Sequence, residues 1–159
     1  MPRKVTKSLV RDVPPDRLYN SVQVQRFINR VMHDGKKQLA ERLVYTGMQQ
    51  AADKLKAQNP LEVFERAFAN VQPFMETRSR RVGGANYQIP FEVKGQRQSH
   101  LTIMWFVAAT RSRKGMSMAD RIAAELVDAY NNQGSAVKKK EDVHKMAEAN
   151  RAFAHFARV

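Results

Sequence analysis

The residues of this sequence best suited to chemistry are cations, and they occur in clusters. The clusters are Arg78, Arg80 and Arg81; Lys138, Lys139 and Lys140; and Arg97, Arg111, Arg113 and Lys114. The planar guanidinium of arginine suits phosphate oxygens and stacks on nucleic-acid bases. The formal net charge is +13 over 159 residues. Such a balance favours a polyanionic partner, with nucleic acid first and an anionic membrane surface second.

The lysine cluster lies where the sequence predicts the start of the last helix, Lys139–Phe156. Cations are unfavourable at a helix N-terminus, which carries partial positive charge. Glu141 and Asp142 follow directly and offset the conflict only in part. A phosphate backbone against this end would explain the lysines, and a solvated run of charge is the alternative.

Patterns typical of enzymes, metal sites and membrane spans are missing from the sequence. Asp34-Gly35-Lys36-Lys37 is similar to the end of a phosphate-binding loop, but Arg30 stands where glycine is needed and Gln38 where Ser or Thr is needed. The chain has no cysteine, and no metal-ligand spacing joins its histidines, His33, His100, His144 and His155. No apolar run approaches the roughly 18–20 residues of a membrane span. The sequence therefore predicts a binding protein without a cofactor, and not an enzyme.

One β-hairpin, predicted over Met75–Val93, must position the arginine cluster. In its second strand the apolar residues Tyr87, Ile89, Phe91 and Val93 alternate with two polar residues and a proline. Gly83-Gly84 can adopt the positive φ values of a tight turn. The turn predicts these pairs: Val82 with Ala85, Arg80 with Tyr87, and Arg78 with Ile89. Pro90 predicts that no further strand lies beside this one.

Two roles are open for the aromatic residues of the ribbon, Tyr87 and Phe91. They could stack on bases, or they could pack the ribbon against the helices and cover its own arginines. Trp105, at helical spacing, is predicted to be a core residue rather than a platform for a base.

Apolar residues three or four positions apart predict about six helices around the hairpin. The predicted inward residues of the first three are Val24, Phe27, Ile28 and Val31; Leu39, Leu43, Val44, Met48, Ala51 and Leu55; and Leu61, Phe64, Phe68 and Val71. Those of the last three are Leu101, Met104, Trp105 and Ala108; Ile122, Leu126 and Tyr130; and Val143, Met146, Ala147, Asn150 and Ala154. The predicted helix caps are Asn59-Pro60 with Glu62 and Ser117 with Asp120. Thr110–Met116 is predicted to be a basic loop.

The predicted fold class is mainly α: a single-domain bundle of about six helices with one protruding β-hairpin. Residues 1–16 form a basic N-terminal arm, and residues 17–159 form the helical RNA-binding domain. The arm is expected to be disordered alone and to become ordered on RNA, and a flexible solvated tail is the alternative.

The segment Ser79–Pro90, SRRVGGANYQIP, followed by Glu92-Val93, resembles the hairpin signature of bacterial-type small-subunit ribosomal protein seven. Other segments resemble the same family: Phe27–Lys37, Pro60–Pro73, Arg121–Leu126, Gly134–His155 and the helix of Trp105. The resemblance covers nearly the whole chain. It implies a structural constituent of the small ribosomal subunit that binds the 3′ major domain of its rRNA and nucleates assembly of the head.

The resemblance also implies a location and partners. The hairpin would lie near exit-site tRNA and mRNA, and proteins of the head and platform would be neighbours. The free protein would be a monomer without membrane contact, and the ribosome a cytoplasmic one, although an organellar ribosome is compatible. The alternative function is a general basic helical nucleic-acid-binding adaptor or regulator, for which Lys138–Phe156 is the only candidate recognition helix.

Carried over residue by residue, the rRNA contacts would be Arg3, Lys4, Lys7, Lys36, Lys37, Arg78, Arg80, Arg81, Arg97, Arg111, Arg113, Lys114, Lys138, Lys139 and Lys140. The part of the hairpin near tRNA and mRNA would be Arg80, Arg81, Val82, Gly83, Gly84, Ala85 and Asn86. Two departures from the family pattern matter. Met104 stands where the family commonly has arginine, and Ala154–Val159 lacks the family's usual tyrosine-arginine-tryptophan ending.

Overall fold

The computed structural model describes residues 12–158, which form six α-helices, one β-hairpin and a C-terminal 3-10 helix. The elements are α1 Val22–Val31, α2 Lys37–Leu55, α3 Pro60–Val71, β1 Met75–Val82, β2 Ala85–Glu92, α4 Gly95–Ser112, α5 Met118–Tyr130, α6 Gly134–Ala149 and the 3-10 helix Arg151–Arg158. The predicted helical bundle with one hairpin is confirmed. The predicted contacts Arg3, Lys4 and Lys7 lie outside the described residues.

Four phenylalanines form the centre of the core. Phe27 of α1, Phe64 and Phe68 of α3, and Phe106 of α4 are all buried, with ring centroids 4.1–5.7 Å apart between neighbours. Each such side chain stabilises the fold by about 1.5–3 kcal/mol on burial. Because three helices contribute to one cluster, the core fixes their relative positions.

Both predicted helix caps are present. The Asn59 side chain accepts a hydrogen bond from the N–H of Leu61 at 3.0 Å, and Pro60 is the first residue of α3. The Ser117 side chain accepts from the N–H of Asp120 at 3.3 Å and so begins α5. These side chains satisfy backbone donors that have no partner within the helix.

The hairpin has the predicted register. Val82 pairs with Ala85, Arg80 with Tyr87 and Arg78 with Ile89, and Gly83 and Gly84 have φ values of 56° and 91°. Within the described residues the sheet has two strands only, in agreement with Pro90.

A two-stranded hairpin is marginally stable alone, and the C-terminal segment supports this one. The ring of Tyr87 packs against Phe153 and Phe156, with centroids 5.0 and 5.8 Å away. The guanidinium of Arg78 lies over Phe91, 5.3 Å from the ring centroid. In this structure both aromatic residues therefore pack as the second interpretation of the sequence predicted.

For several residues the predicted inward orientation was wrong. Leu39, Met104, Ala108, Met146 and Ala154 are exposed. In α4 the buried face instead comprises Leu101, Thr102, Ile103, Phe106, Val107, Ala109 and Thr110. The segment is apolar on nearly every side, so periodicity alone does not select the face that packs.

The predicted boundaries of two segments were also wrong. The last helix begins at Gly134 rather than Lys139, so Lys138–Lys140 lie in its second turn and the predicted conflict with the helix dipole does not arise. It ends at Ala149, where Asn150 donates a side-chain hydrogen bond to the carbonyl of Met146. The predicted loop at Thr110–Met116 begins only after Ser112, because α4 continues to that residue and Thr110 is buried within it.

Gly47 of α2 provides a test of this packing. A Cβ at this position would lie 2.8 Å from Cγ2 of Ile122 and 2.9 Å from the carbonyl oxygen of Ala119. We expect Gly47→Ala to lower the free energy of unfolding by about 1–2 kcal/mol, because a clash with a backbone oxygen lies in the upper part of the overpacking range of about 1–3 kcal/mol and the helix propensity of alanine returns only about 1. Urea unfolding measures the change. The control is the exposed neighbour Thr46→Ala, and equal stability of the two variants would contradict the prediction.

His144 makes the base of the hairpin sensitive to pH. Its Nε2 accepts a hydrogen bond from the N–H of Phe74 at 3.1 Å, and burial, with a smaller effect of Lys140, lowers the pKa of His144 below its ordinary 6.5. The unfolded chain then binds this proton more readily than the folded protein does. The free energy of unfolding should therefore fall as pH falls below about 6.5.

We expect His144→Gln, which keeps an acceptor but does not titrate, to lose less stability between pH 7.5 and 5.5 than the wild type does. Urea unfolding at both pH values measures the difference. Because the two proteins differ only at residue 144, an identical loss of stability in both would contradict the assignment to His144.

Candidate nucleic-acid interface

The buried carboxylate of Glu76 joins two of the predicted contact residues. Oε1 accepts from Nε of Arg78 at 2.7 Å and also contacts Nη2, while Oε2 accepts from Nε and Nη2 of Arg97 at 3.2 and 2.9 Å. Burial alone would raise the pKa of Glu76, but hydrogen bonds from Arg97 and Arg78 outweigh it and lower the pKa. The base of the hairpin and the first turn of α4 are thus joined by one carboxylate.

The remaining arginines of the hairpin are exposed toward its tip. Arg80 donates from Nη1 to the carbonyl oxygen of Phe156 at 3.2 Å, which connects β1 to the 3-10 helix. Arg81 is exposed opposite Asn86. Because side chains alternate along a strand, Arg80 and Arg81 lie on opposite faces of the ribbon.

The predicted third cluster divides into exposed and internally paired residues. Arg111 and Lys114 are exposed, and Arg111 donates to the carbonyl oxygen of Arg30 at 3.3 Å. Arg113 instead donates from Nε and Nη2 to Oε2 of Glu125 at 2.9 and 2.6 Å, and also contacts Asp128. Glu125 is completely buried. Arg113 therefore has a structural partner in this protein.

The lysine cluster divides in the same way. Lys138 and Lys139 are exposed, whereas the amino group of Lys140 donates to the carbonyl oxygen of Asn70 at the end of α3. Lys36 and Lys37 are exposed at the start of α2, and the amino group of Lys37 lies 3.8 Å from the carboxylate of Glu41. The contact is long and the side chain of Lys37 is half exposed, so Lys37 stays available to a phosphate.

A groove of about 350 Å³ between α1 and α4 contains cations that the sequence interpretation missed. It is lined by Arg26, Asn29, Arg30, Gln96, Ser99, His100, Ile103 and Met104. Arg26, Asn29 and Arg30 are spaced three and four apart on the side of α1 away from the core. That spacing is a usable sequence signal for a polar face of α1, opposite its apolar stripe. Met104, one of the two departures from the family pattern, forms part of this groove.

Other kinds of site find no support among residues 12–158. None of the helices there combines the length and apolar character needed to span a membrane. No three His, Asp or Glu side chains in this part of the chain come together as metal ligands.

Comparison with known families decides the identity of the chain. The sequence profile of the family described as "Ribosomal protein S7p/S5e" matches residues 2–151. The chain belongs to this family. Proteins named "Small ribosomal subunit protein uS7" are similar to it: that of Chloroflexus aggregans is 56% identical over 94% of each chain, and that of Thermosipho africanus is 56% identical over 92% of this chain and 94% of its own. That of Petrotoga mobilis is 53% identical, also over 92% and 94%.

Membership of the ribosomal protein S7p/S5e family confirms two predictions from the sequence. The family consists of structural proteins of the small ribosomal subunit, and not of enzymes. At the level of the family, the partners are small-subunit rRNA and other ribosomal proteins. The individual contact residues remain predictions.

The contrast between Arg111 and Arg113 can be tested by substitution. We expect Arg113→Ala to lower the free energy of unfolding by about 2–4 kcal/mol, because it leaves the charge of Glu125 buried without its cation, discounted for the partial exposure of Arg113. Arg111→Ala should change it by no more than about 0.5 kcal/mol. Urea unfolding of both variants measures this, and equal losses would show that Arg113 does not have the structural role assigned to it.

Proposed function

We propose that this protein binds the 3′ major domain of small-subunit rRNA as a primary assembly protein of the head, in the cytoplasmic ribosome. The observation that carries the proposal is the distribution of exposed cations over separate elements. Lys36 and Lys37 begin α2, Arg80 and Arg81 lie on the hairpin, and Lys138 and Lys139 lie on α6. Cations so distributed can neutralise phosphates of RNA segments that are distant in sequence and hold those segments together.

The proposed interface comprises most of the predicted contacts and two additional arginines. Its residues are Arg3, Lys4, Lys7, Arg26, Arg30, Lys36, Lys37, Arg78, Arg80, Arg81, Arg97, Arg111, Lys114, Lys138 and Lys139. Arg113 contributes least, because the carboxylates of Glu125 and Asp128 neutralise its charge, and Lys140 is less exposed than Lys138 and Lys139. Contacts to phosphate and sugar dominate this interface, since the deep, narrow major groove of an A-form helix is closed to side chains.

The tip of the hairpin is proposed to lie near exit-site tRNA and mRNA. Gly83 and Gly84 have open space around them, with no atom within 4 Å of a Cβ built on either. The exposed residues beside them include Arg81 and Asn86. A thin tip with a cation can approach a nucleic-acid strand closely without displacing other parts of the protein.

The division into a basic arm at 1–16 and a helical RNA-binding domain at 17–159 is part of this proposal. Asp16, at the boundary, packs with the folded domain. Its carboxylate accepts hydrogen bonds from the N–H groups of Leu18, Tyr19 and Ser21 and from the hydroxyl of Tyr45. The last residue assigned to the arm is therefore held against the folded domain.

Filter binding across a salt series tests the proposed function. The purified protein is titrated with the 3′ major domain of small-subunit rRNA and with an unrelated structured RNA of equal length. We expect tighter binding to the rRNA domain by orders of magnitude at moderate salt. Equal affinity for both RNAs would contradict the proposal and favour a general polyanion binder.

Charge variants sharpen the same experiment. We expect Lys139→Ala to weaken rRNA binding and to reduce the magnitude of the log–log salt slope by about 0.7–0.9, the value of one phosphate contact. Lys54→Ala, which removes the same charge from an exposed position at the end of α2, is the control and should leave the slope unchanged. Equal effects of the two variants would show that net charge, and not the position of Lys139, determines affinity.

A further inference from the structure

The arrangement around Glu76 has the properties of a prepared anion site. One carboxylate with 6% of its surface exposed holds two guanidinium groups, that of Arg78 from the hairpin and that of Arg97 from α4. Two positive charges face one negative charge, so the group keeps a net charge of +1. The side chains of Arg78 and Arg97 remain 57% and 48% exposed.

We propose that Arg78 and Arg97 together bind one phosphodiester group of RNA, and that Glu76 is the positioning residue of this site. The inference rests on the proposed function and deepens it, because it assigns one anion to a pair of arginines that are 19 positions apart in sequence. Glu76 does not touch the phosphate in this arrangement. It acts by fixing the two groups that do.

The two arginines keep N–H groups that Glu76 does not use. A guanidinium has five N–H donors. Glu76 contacts Nε and Nη2 of each arginine, which leaves both N–H groups of Nη1 and one of Nη2. In the described part of the chain these remaining donors have no acceptor. Three donors on each arginine are therefore available to phosphate oxygens, which accept such paired N–H groups well.

Preorganisation is the physical advantage of this arrangement. A free arginine side chain loses rotamer freedom when it binds a phosphate, and this loss opposes binding. Here Glu76 holds both side chains before RNA arrives, and the guanidinium of Arg78 also lies over the ring of Phe91. Because the carboxylate is buried, the pair does not reorient freely as an exposed ion pair would.

Coulomb's law alone predicts the opposite effect of Glu76, and this makes the inference testable. Its negative charge repels phosphate, so a purely electrostatic role would make Glu76→Gln a tighter binder. A positioning role makes the same variant a weaker binder, since the arginines lose their fixed orientation. The sign of the change separates the two roles.

Glu92 offers a matched control on the same hairpin. Its carboxylate is 63% exposed and lies 2.8 Å from the amino group of Lys94. Glu92→Gln removes the same charge from the same ribbon without touching Arg78 or Arg97. We expect Glu92→Gln to bind the 3′ major domain as tightly as the wild type or slightly more tightly.

The experiment is filter binding of full-length Glu76→Gln and Glu92→Gln proteins to that rRNA domain over a salt series. For Glu76→Gln we expect about three- to tenfold weaker binding and a salt slope smaller in magnitude by about 0.7–0.9, as for the loss of one phosphate contact. A variant that merely folded less well would show a smaller active fraction with an unchanged slope. Equal shifts in the two variants, tighter binding by Glu76→Gln, or an unchanged slope would overturn the inference.

Arg97→Lys gives a second measurement that does not depend on the buried carboxylate being replaced. It keeps the charge beside Glu76 but loses the fork of donors, so we expect weaker rRNA binding per folded molecule, with urea unfolding giving the folded fraction of each protein. Unchanged affinity would count against the site. Wild-type protein that binds both RNAs equally would instead overturn the proposed function itself, so the two failures are distinguishable.

Discussion

The carboxylate of Glu125 is completely buried, and three elements meet at it. It stands on α5, accepts two hydrogen bonds from Arg113 beyond the end of α4, and accepts the N–H of Ala136 at 3.0 Å in the first turn of α6. A chain with a net charge of +13 repels itself when it becomes compact. The carboxylate of Glu125 neutralises one of these cations, Arg113, and so connects the end of α4 to α5 and α6. The start of α6, and with it the position of Lys138 and Lys139, depends on this link.

The other two buried carboxylates also connect separate elements. Glu76 joins the hairpin to α4, and Asp16 holds the segment before α1 against α2 through the hydroxyl of Tyr45. Burial opposes the charge of Asp16, but hydrogen bonds from Tyr19, Ser21 and Leu18 outweigh it and lower its pKa. Burial together with Asp16 raises the pKa of Tyr45 to about 12. The three buried acids of this basic protein are thus placed where elements join, while many of its cations stay on the surface.

The sequence was sufficient wherever the relevant interaction is local. The hairpin register follows from Gly83-Gly84 and a period of two, and the starts of α3 and α5 follow from Asn59 and Ser117. The sequence was insufficient where the interacting residues are far apart along the chain. Glu76 and Arg97 are 21 positions apart, Arg113 and Glu125 are 12 apart, and no spacing rule links either pair. The start of α6 was missed for the same reason, because the group that holds it, Glu125, belongs to another helix. In α4 the apolar residues surround the helix, so the choice of buried face belongs to tertiary packing.

Because pairing between distant residues cannot be predicted from the sequence, the number of cations alone does not show which of them are available to RNA. A count of lysine and arginine treats Arg113, Lys140 and Lys139 as equivalent, although the first two have partners within the protein and the third is exposed. Cations that keep a net positive charge at the surface, as Lys139 does alone and as Arg78 and Arg97 do together around Glu76, release counterions when a phosphate arrives. The buried carboxylates therefore do more than stabilise the fold. By committing some cations to internal pairs and orienting others, they determine where on the surface positive charge is available. For the proposed contact with the phosphate backbone of RNA, the positions of these cations are what would discriminate between RNA shapes.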